Sequence, residues 1–163
     1  MLTTVIGAYP KPSYLSLPDW FSDEDGTDTK YPTGKYVSAI NKMGSKAEPL
    51  FIKATKEVIN DQLECGIDIL TDGEVRRENY IHYHCRHIDG IDFNTLTKKT
   101  ARTGNYECFL PTITKKVEAR DSFLVHDWLE AQKLSPKPIK ITLPGPMTIT
   151  DTIANNYYTS NNQ

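Results

Sequence analysis

Apolar positions fall along the chain in two spacings. Three short β-branched runs, residues 2–6, 67–70 and 139–143, each stop at a Gly, Asp or Pro cluster and predict strands. Their weak alternation suits strands covered on both faces. Between them, Leu50, Phe51, Ala54, Val58, Ile59 and Leu63 repeat at helical spacing and end at Gly66, which predicts a helix over 47–65. A second amphipathic helix is predicted over 121–134, with Phe123, Leu124, Trp128, Leu129 and Ala131 on its apolar side and Pro136-Lys137-Pro138 as its stop. Residues 79–87 also read as helical. The stretch 91–117 is rich in Thr, Lys and β-formers and predicts an inserted β-hairpin or extended excursion. Residues 13–45 mix Pro, Gly, Asp and Thr with the aromatics Tyr14, Trp20, Phe21, Tyr31 and Tyr36. They predict a long ordered loop with a short helical turn.

These elements divide the chain into a strand and loop (1–12), a long loop (13–46), a helix–strand–helix segment (47–90), an insertion (91–118) and a last helix, strand, loop and tail (119–163). Strand–helix–strand–helix–strand with long crossovers predicts parallel strands wound right-handedly, an α/β fold. The loops after Ile6, Leu70 and Leu143 all follow strand C-termini, where α/β sheets and barrels place their ligands. Three parallel strands leave open edges, and the polar tail from Asn155 to Gln163 predicts no fourth strand. The chain therefore reads as a single incomplete domain.

Composition narrows the functional classes. With 163 residues, 38% apolar and 25% charged, the chain is long enough for one domain core and has no disordered signature. A formal net charge of −2 supplies no basic field for nucleic acid or an anionic membrane. No apolar run approaches the roughly 20 residues of a membrane span, and Met1-Leu2-Thr3-Thr4 is not the start of a signal peptide, so a cytoplasmic location is expected. Cys65, Cys85 and Cys108 are odd in number and widely spaced, which predicts packed or partly exposed reduced thiols.

Candidate chemistry centres on Thr71-Asp72-Gly73-Glu74. A carboxylate just past a buried strand can enter a shared cleft and meet a cationic group such as an amine, with Asp72 on the same side. The same residues could equally cap the next helix or pair with Arg76 or Arg77. His82-Tyr83-His84-Cys85-Arg86-His87 offers zinc-ligand types. On a helix, however, His82 shares a face with Cys85 and His84 with His87, so the pairs do not converge and no metal ligand is assigned. In the rigid exit loop Pro144-Gly145-Pro146, Gly145 would let backbone approach a ligand closely. Thr148, Thr150, Asp151 and Thr152 could supply hydrogen bonds there, or cap the helix that follows, which is the expected use. P-loop, G-x-G-x-x-G, G-x-S-x-G and H-E-x-x-H motifs are missing, which leaves nucleotide hydrolysis and serine or zinc-protease chemistry without support.

Taken together, Thr3-Thr4-Val5-Ile6-Gly7-Ala8-Tyr9-Pro10, then Gly66 through Glu74 with Arg77, Tyr83 and His87-Ile88-Asp89-Gly90, then Leu143-Pro144-Gly145-Pro146-Met147-Thr148-Ile149 occur in an order that resembles one known family. It is the catalytic barrel of cobalamin-independent methionine synthase and its short single-barrel relatives. The resemblance implies the N-terminal part of a TIM (β/α)8 barrel, about three parallel strands with helices plus the hairpin-like insertion. A whole barrel of this kind takes about 250 residues. It also implies transfer of a methyl group from a methyltetrahydrofolate, or another donor, to a homocysteine-like thiol held as thiolate by zinc. The family's zinc ligands lie in the barrel half that this sequence does not contain, so no catalytic or metal residue is assigned here.

By the same resemblance Ile6, Gly7 and Ala8 line the amino-acid pocket, Glu74 and Asp72 face its amine, and Glu107, Cys108 and Thr152 lie on the donor side. Ala8 stands where the family often has Ser, Glu107 where it has a folate-contacting Arg, and Thr152 where it has an aromatic. These departures fit the short relatives, whose methyl donors and acceptors vary. The implied function is part of a methyltransferase that needs a complementary barrel half. Two other readings stay open: a non-catalytic half-barrel module that binds a small amino acid or self-associates through its edges, and a truncated inactive fragment.

Overall fold

A computed structural model describes residues 1–19, 32–101 and 106–159. Trp20, Phe21 and Tyr31 of the predicted long loop, and the end of the tail from Ser160, lie outside these residues. The chain divides into two compact units: Met1–Leu17, Val37–Arg77 and Ser122–Leu143 form the first, and Pro18–Tyr36, Glu78–Asp121 and Pro144–Gln163 the second.

In the first unit the parallel arrangement predicted for the three apolar runs is present, with shorter pairing than expected. Thr4 bridges Ile69 in parallel, and β1 (Leu70–Thr71) pairs in parallel with β4 (Ile139–Lys140). Ile69 donates its N–H to Thr3 O and Leu70 donates to Pro138 O, so successive amides of the middle segment serve opposite neighbours. The ladders are short because side chains take over their bonds. Gln62 occupies both polar backbone groups of Thr71, and Trp128 Nε1 donates to Ile139 O.

Against these strands pack α2 (Ala47–Glu64) and α4 (Phe123–Lys133). Ile59, Leu70, Ala131 and Ile139 make one buried cluster, and Leu15, Ala47, Phe51, Ala54, Val58 and Val75 make another. The second cluster also receives Ile40 and Met43 from α1 (Pro32–Met43), preceding a 3-10 turn at Gly44–Lys46. This 12-residue helix corrects the expectation of a loop with a short turn. Its apolar residues Val37, Ile40 and Met43 recur every three positions, and Pro32 at its start costs no helical bond. The apolar side predicted for α4 is also corrected. Trp128 and Leu129 are exposed, whereas Asp127 is buried, because Asp127 faces the Arg76 guanidinium at 3.8 Å.

In the second unit α3 (Tyr80–Cys85) starts where Asn79 Oδ1 accepts from the Ile81 and His82 amides at 2.8 and 3.0 Å. The predicted insertion is an antiparallel hairpin of β2 (Ile88–Ala101) and β3 (Tyr106–Ala119), with register shifts after Asp89 and Asp92. The chain after Leu143 is more structured than a polar tail. It forms α5 (Pro146–Thr152) and then β5 (Ala154–Asn155), which pairs in parallel with Thr112 and Ile113 of β3. Ile81, Cys85 and Ile153 form the buried centre of this unit, flanked by Ile91, Phe93, Ile113 and Ile149. The capping predicted for Thr148, Thr150, Asp151 and Thr152 is corrected too. No side chain caps α5; Thr150 and Thr152 donate their hydroxyls to the carbonyls of Pro146 and Thr148, four residues back within the helix.

Candidate functional site

Every residue from Leu70 to Asn79 is buried, although five of them are Asp, Glu or Arg. Charged side chains rarely go inside unless they are paired, so this run at a strand C-terminus is where polar chemistry concentrates. The turn that exposes the carboxylates to one another is left-handed twice over, with φ +67° at Gly73 and +52° at Glu74. Gly73 has no alternative, since a Cβ there would lie 2.5 Å from Val58 Cγ1. Glu74 is the only described non-glycine residue with positive φ, a strained state that marks functional turns.

The strain brings Glu74 to the ends of both neighbouring strands. Its Oε1 accepts from Thr142 Oγ1 at 2.5 Å, and a Cβ on Gly7 would fall 2.3 Å from the same oxygen. Gly7 is therefore needed for close approach. Arg77 closes the other side. Its Nη1 donates to Thr142 O at 3.0 Å and to Thr142 Oγ1 at 3.1 Å, and lies 3.6 Å from Glu74 Oε1. Its Nη2 is 3.6 Å from Asp72 Oδ2, and Asp72 Oδ1 accepts the Glu74 amide at 3.2 Å. One guanidinium thus faces two carboxylates, an arrangement short by one positive charge. Arg76 points elsewhere and grips Glu48 with two bonds, which hold the Glu48 carboxyl below its usual range.

Of the residues named from sequence, Gly7, Asp72 and Glu74 come together here. Ile6 and Ala8 flank Gly7 with both side chains exposed. Cys108 and Thr152 belong to the second unit. The Cys108 thiol is buried and donates to Lys99 O at 3.4 Å, while Lys99 Nζ donates to Asp151 O, next to Thr152. Glu107 lies opposite Thr100 in the hairpin, and its side chain is outside the described residues. Sequence reasoning missed Thr142. The available signal was alternation: Lys140 and Thr142 break an apolar strand at period two, and Lys140 Nζ also turns to the first strand, donating to Val5 O at 2.7 Å.

The resemblance implies zinc, which needs several His, Cys, Asp or Glu donors converging on one point. Among the described residues no three His, Cys, Asp or Glu side chains gather to hold a metal ion. Burial pushes the Cys85 thiol up to about 12 and His82 down to about 4. Cys85 therefore resists becoming the thiolate a metal needs. Glu78 is kept toward its neutral form by burial, against the pull of Arg86, whose Nε and Nη2 sit 3.0 Å away. The described residues do not fit a zinc site.

The chain is thus of the mixed α/β class, with parallel strands that carry polar residues at their C-terminal ends. Within that class, the chain belongs to the family described as cobalamin-independent synthase, catalytic domain, whose model matches residues 1–157. A methionine synthase of Saccharolobus solfataricus is 29% identical over 161 residues, 96% of this chain and 42% of the relative. A 5-methyltetrahydropteroyltriglutamate–homocysteine methyltransferase of Shewanella oneidensis is 28% identical over 151 residues, 90% of this chain and 17% of that one. Among solved structures, a B12-independent methionine synthase from Shewanella sp. W3-18-1 in complex with selenomethionine superposes with a TM-score of 0.76 at 28% identity, covering 97% of this chain and 42% of that one. The chain thus spans less than half the length of these relatives. No described helix is long and apolar enough to cross a membrane.

Proposed function

We propose that this chain supplies the amino-acid-binding part of a methyltransferase of the cobalamin-independent methionine synthase type. Glu74 receives the ammonium of a homocysteine-like thiol substrate. The observation that carries this is the charge imbalance at the end of the parallel strands, where among the described residues the ion pairs of Asp72 and Glu74 both run to Arg77. A single ammonium restores the balance, and a charge-assisted bond to a mostly buried carboxylate is among the stronger polar contacts. Glu74 Oε2 has no hydrogen-bond partner among the described residues and is the oxygen offered to it. The likeness to a methionine synthase solved in complex with selenomethionine supports an α-amino acid as the ligand.

The three parallel segments and their helices form the first units of a (β/α)8 barrel in this reading. Metal ligands and the methyl donor's contacts, from a methyltetrahydrofolate or another donor, come largely from a complementary half. The experiment is calorimetric titration of the chain with homocysteine and with methionine, beside Glu74→Gln. The expected result is a loss of about tenfold or more in affinity for both ligands in the variant. Equal affinity in wild type and variant removes Glu74 from the site. Stoichiometric zinc binding with methylation of homocysteine by the chain alone removes the need for a second half.

A further inference from the structure

We infer that Thr142 is the positioning residue that keeps Glu74 available to a cationic ligand, by standing its hydroxyl between Glu74 and Arg77. The inference rests on the reading of Glu74 as the ammonium acceptor. Arginine beside a carboxylate normally forms two parallel bonds at about 2.7–2.9 Å and occupies both oxygens. Here the nearest guanidinium nitrogen stays 3.6 Å from Glu74 Oε1, beyond hydrogen-bond reach. The gap is filled by Thr142 Oγ1, 3.1 Å from Arg77 Nη1 and 2.5 Å from Glu74 Oε1.

Proton inventory fixes the direction of this relay. A guanidinium only donates and a hydroxyl carries one proton, so Thr142 accepts from Arg77 and donates to Glu74. Arg77 thus keeps an ion pair with Glu74 at 3.6 Å but no hydrogen bond, and the hydroxyl makes that bond in its place. Oε1 is pinned by the hydroxyl and Oε2 is left to the ligand. Gly7 holds the arrangement from the opposite side, because a Cβ there would meet both Glu74 Oε1 and, at 3.0 Å, Thr142 Cγ2. Removing the hydroxyl while keeping the shape, as in Thr142→Val, lets Arg77 close on Glu74 and form the direct pair. The ammonium then has to compete with a guanidinium. A merely structural Thr142 would shift the affinity of every ligand alike, whereas this relay acts only on ligands with an amine.

The test compares homocysteine with 4-sulfanylbutanoate, the same thiol acid without its amine, on wild type, Thr142→Val, Thr142→Ser and Glu74→Gln. The expected result is a loss of about tenfold in homocysteine affinity in Thr142→Val, no change for the des-amino acid, and recovery in Thr142→Ser. Should Thr142→Val melt well below wild type, Thr142→Ala carries the same comparison. If Glu74→Gln abolishes the preference for the amine and neither hydroxyl-less variant alters it, Thr142 loses this role while Glu74 keeps its own. If Glu74→Gln leaves the preference intact, the ammonium reading itself falls, and this inference with it.

Discussion

The side-chain amide of Gln62 bonds both polar backbone groups of Thr71: Oε1 accepts from Thr71 N at 2.9 Å and Nε2 donates to Thr71 O at 3.0 Å. A helix residue thereby does for β1 what a further strand would do. Gln132 on α4 repeats the device, accepting from Ile139 N at 3.0 Å and donating to Lys137 O at 3.1 Å. Gln62 is wholly buried, so replacing it by Leu strands an amide and a carbonyl without water. Gln62→Leu is expected to lower stability by about 2–4 kcal/mol in urea unfolding. A loss below about 0.5 kcal/mol would show that the two backbone groups find other partners.

Gly73 is constrained by space and by backbone together. Its Cβ would sit 2.5 Å from Val58 Cγ1, and its φ is +67°. Gly73→Ala should cost about 2–4 kcal/mol. Pairing it with Val58→Ala removes the collision and leaves the dihedral term of about 1–2 kcal/mol. Thermal unfolding of the two single variants and the double closes this cycle, and simple additivity would rule out the contact.

His82 sets an acid limit on stability. It is buried, its Nδ1 has no partner among the described residues, and its ring meets the edge of Phe93 at 6.0 Å. Burial first, then the nearby Arg86 charge, lowers its pKa from 6.5 to about 4. Between those values the unfolded chain binds the proton and the folded one does not, so stability rises with pH across the window. It is complete above about 6.5 and is lost as pH falls toward about 4, by at most about 3 kcal/mol. His82→Leu should flatten that slope in urea midpoints measured from pH 4 to 7. An unchanged slope would assign the acid sensitivity to other groups.

The thiols should separate by burial. Cys65 is exposed, whereas Cys85 and Cys108 are buried. Titration with a chromogenic disulfide at pH 8 should modify one thiol promptly in the folded chain and all three in denaturant. Rapid reaction of two or three thiols in the folded chain would contradict the packing around Cys85.

Much of this was legible in the sequence, and the remainder was hidden for identifiable reasons. The stripe from Leu50 to Leu63 announced α2, and the β-formers after Ile91 announced the hairpin, because both follow local periodicity. Asp72-Gly73-Glu74 stood out as a polar cluster at a strand exit. Gln62, Gln132 and Asp127 did not, since a polar residue that goes inside to satisfy a distant partner leaves no periodic trace. The α1 helix was masked by the Pro, Gly and Thr at its start, residues more typical of loops. Thr142 is marked in the sequence only as a polar break in a strand, and its role appears once that strand is docked, because its partners lie 65 and 68 positions away.

That separation has a kinetic consequence. Gly7, Glu74 and Thr142 are delivered by three segments joined through two loops of more than sixty residues, and such contacts form late because loop entropy is lost before they reward it. A ligand that needs all three therefore cannot recognise a half-formed chain. An amino acid bound there would slow unfolding far more than it hastens folding, acting as a latch added after assembly rather than a template for it.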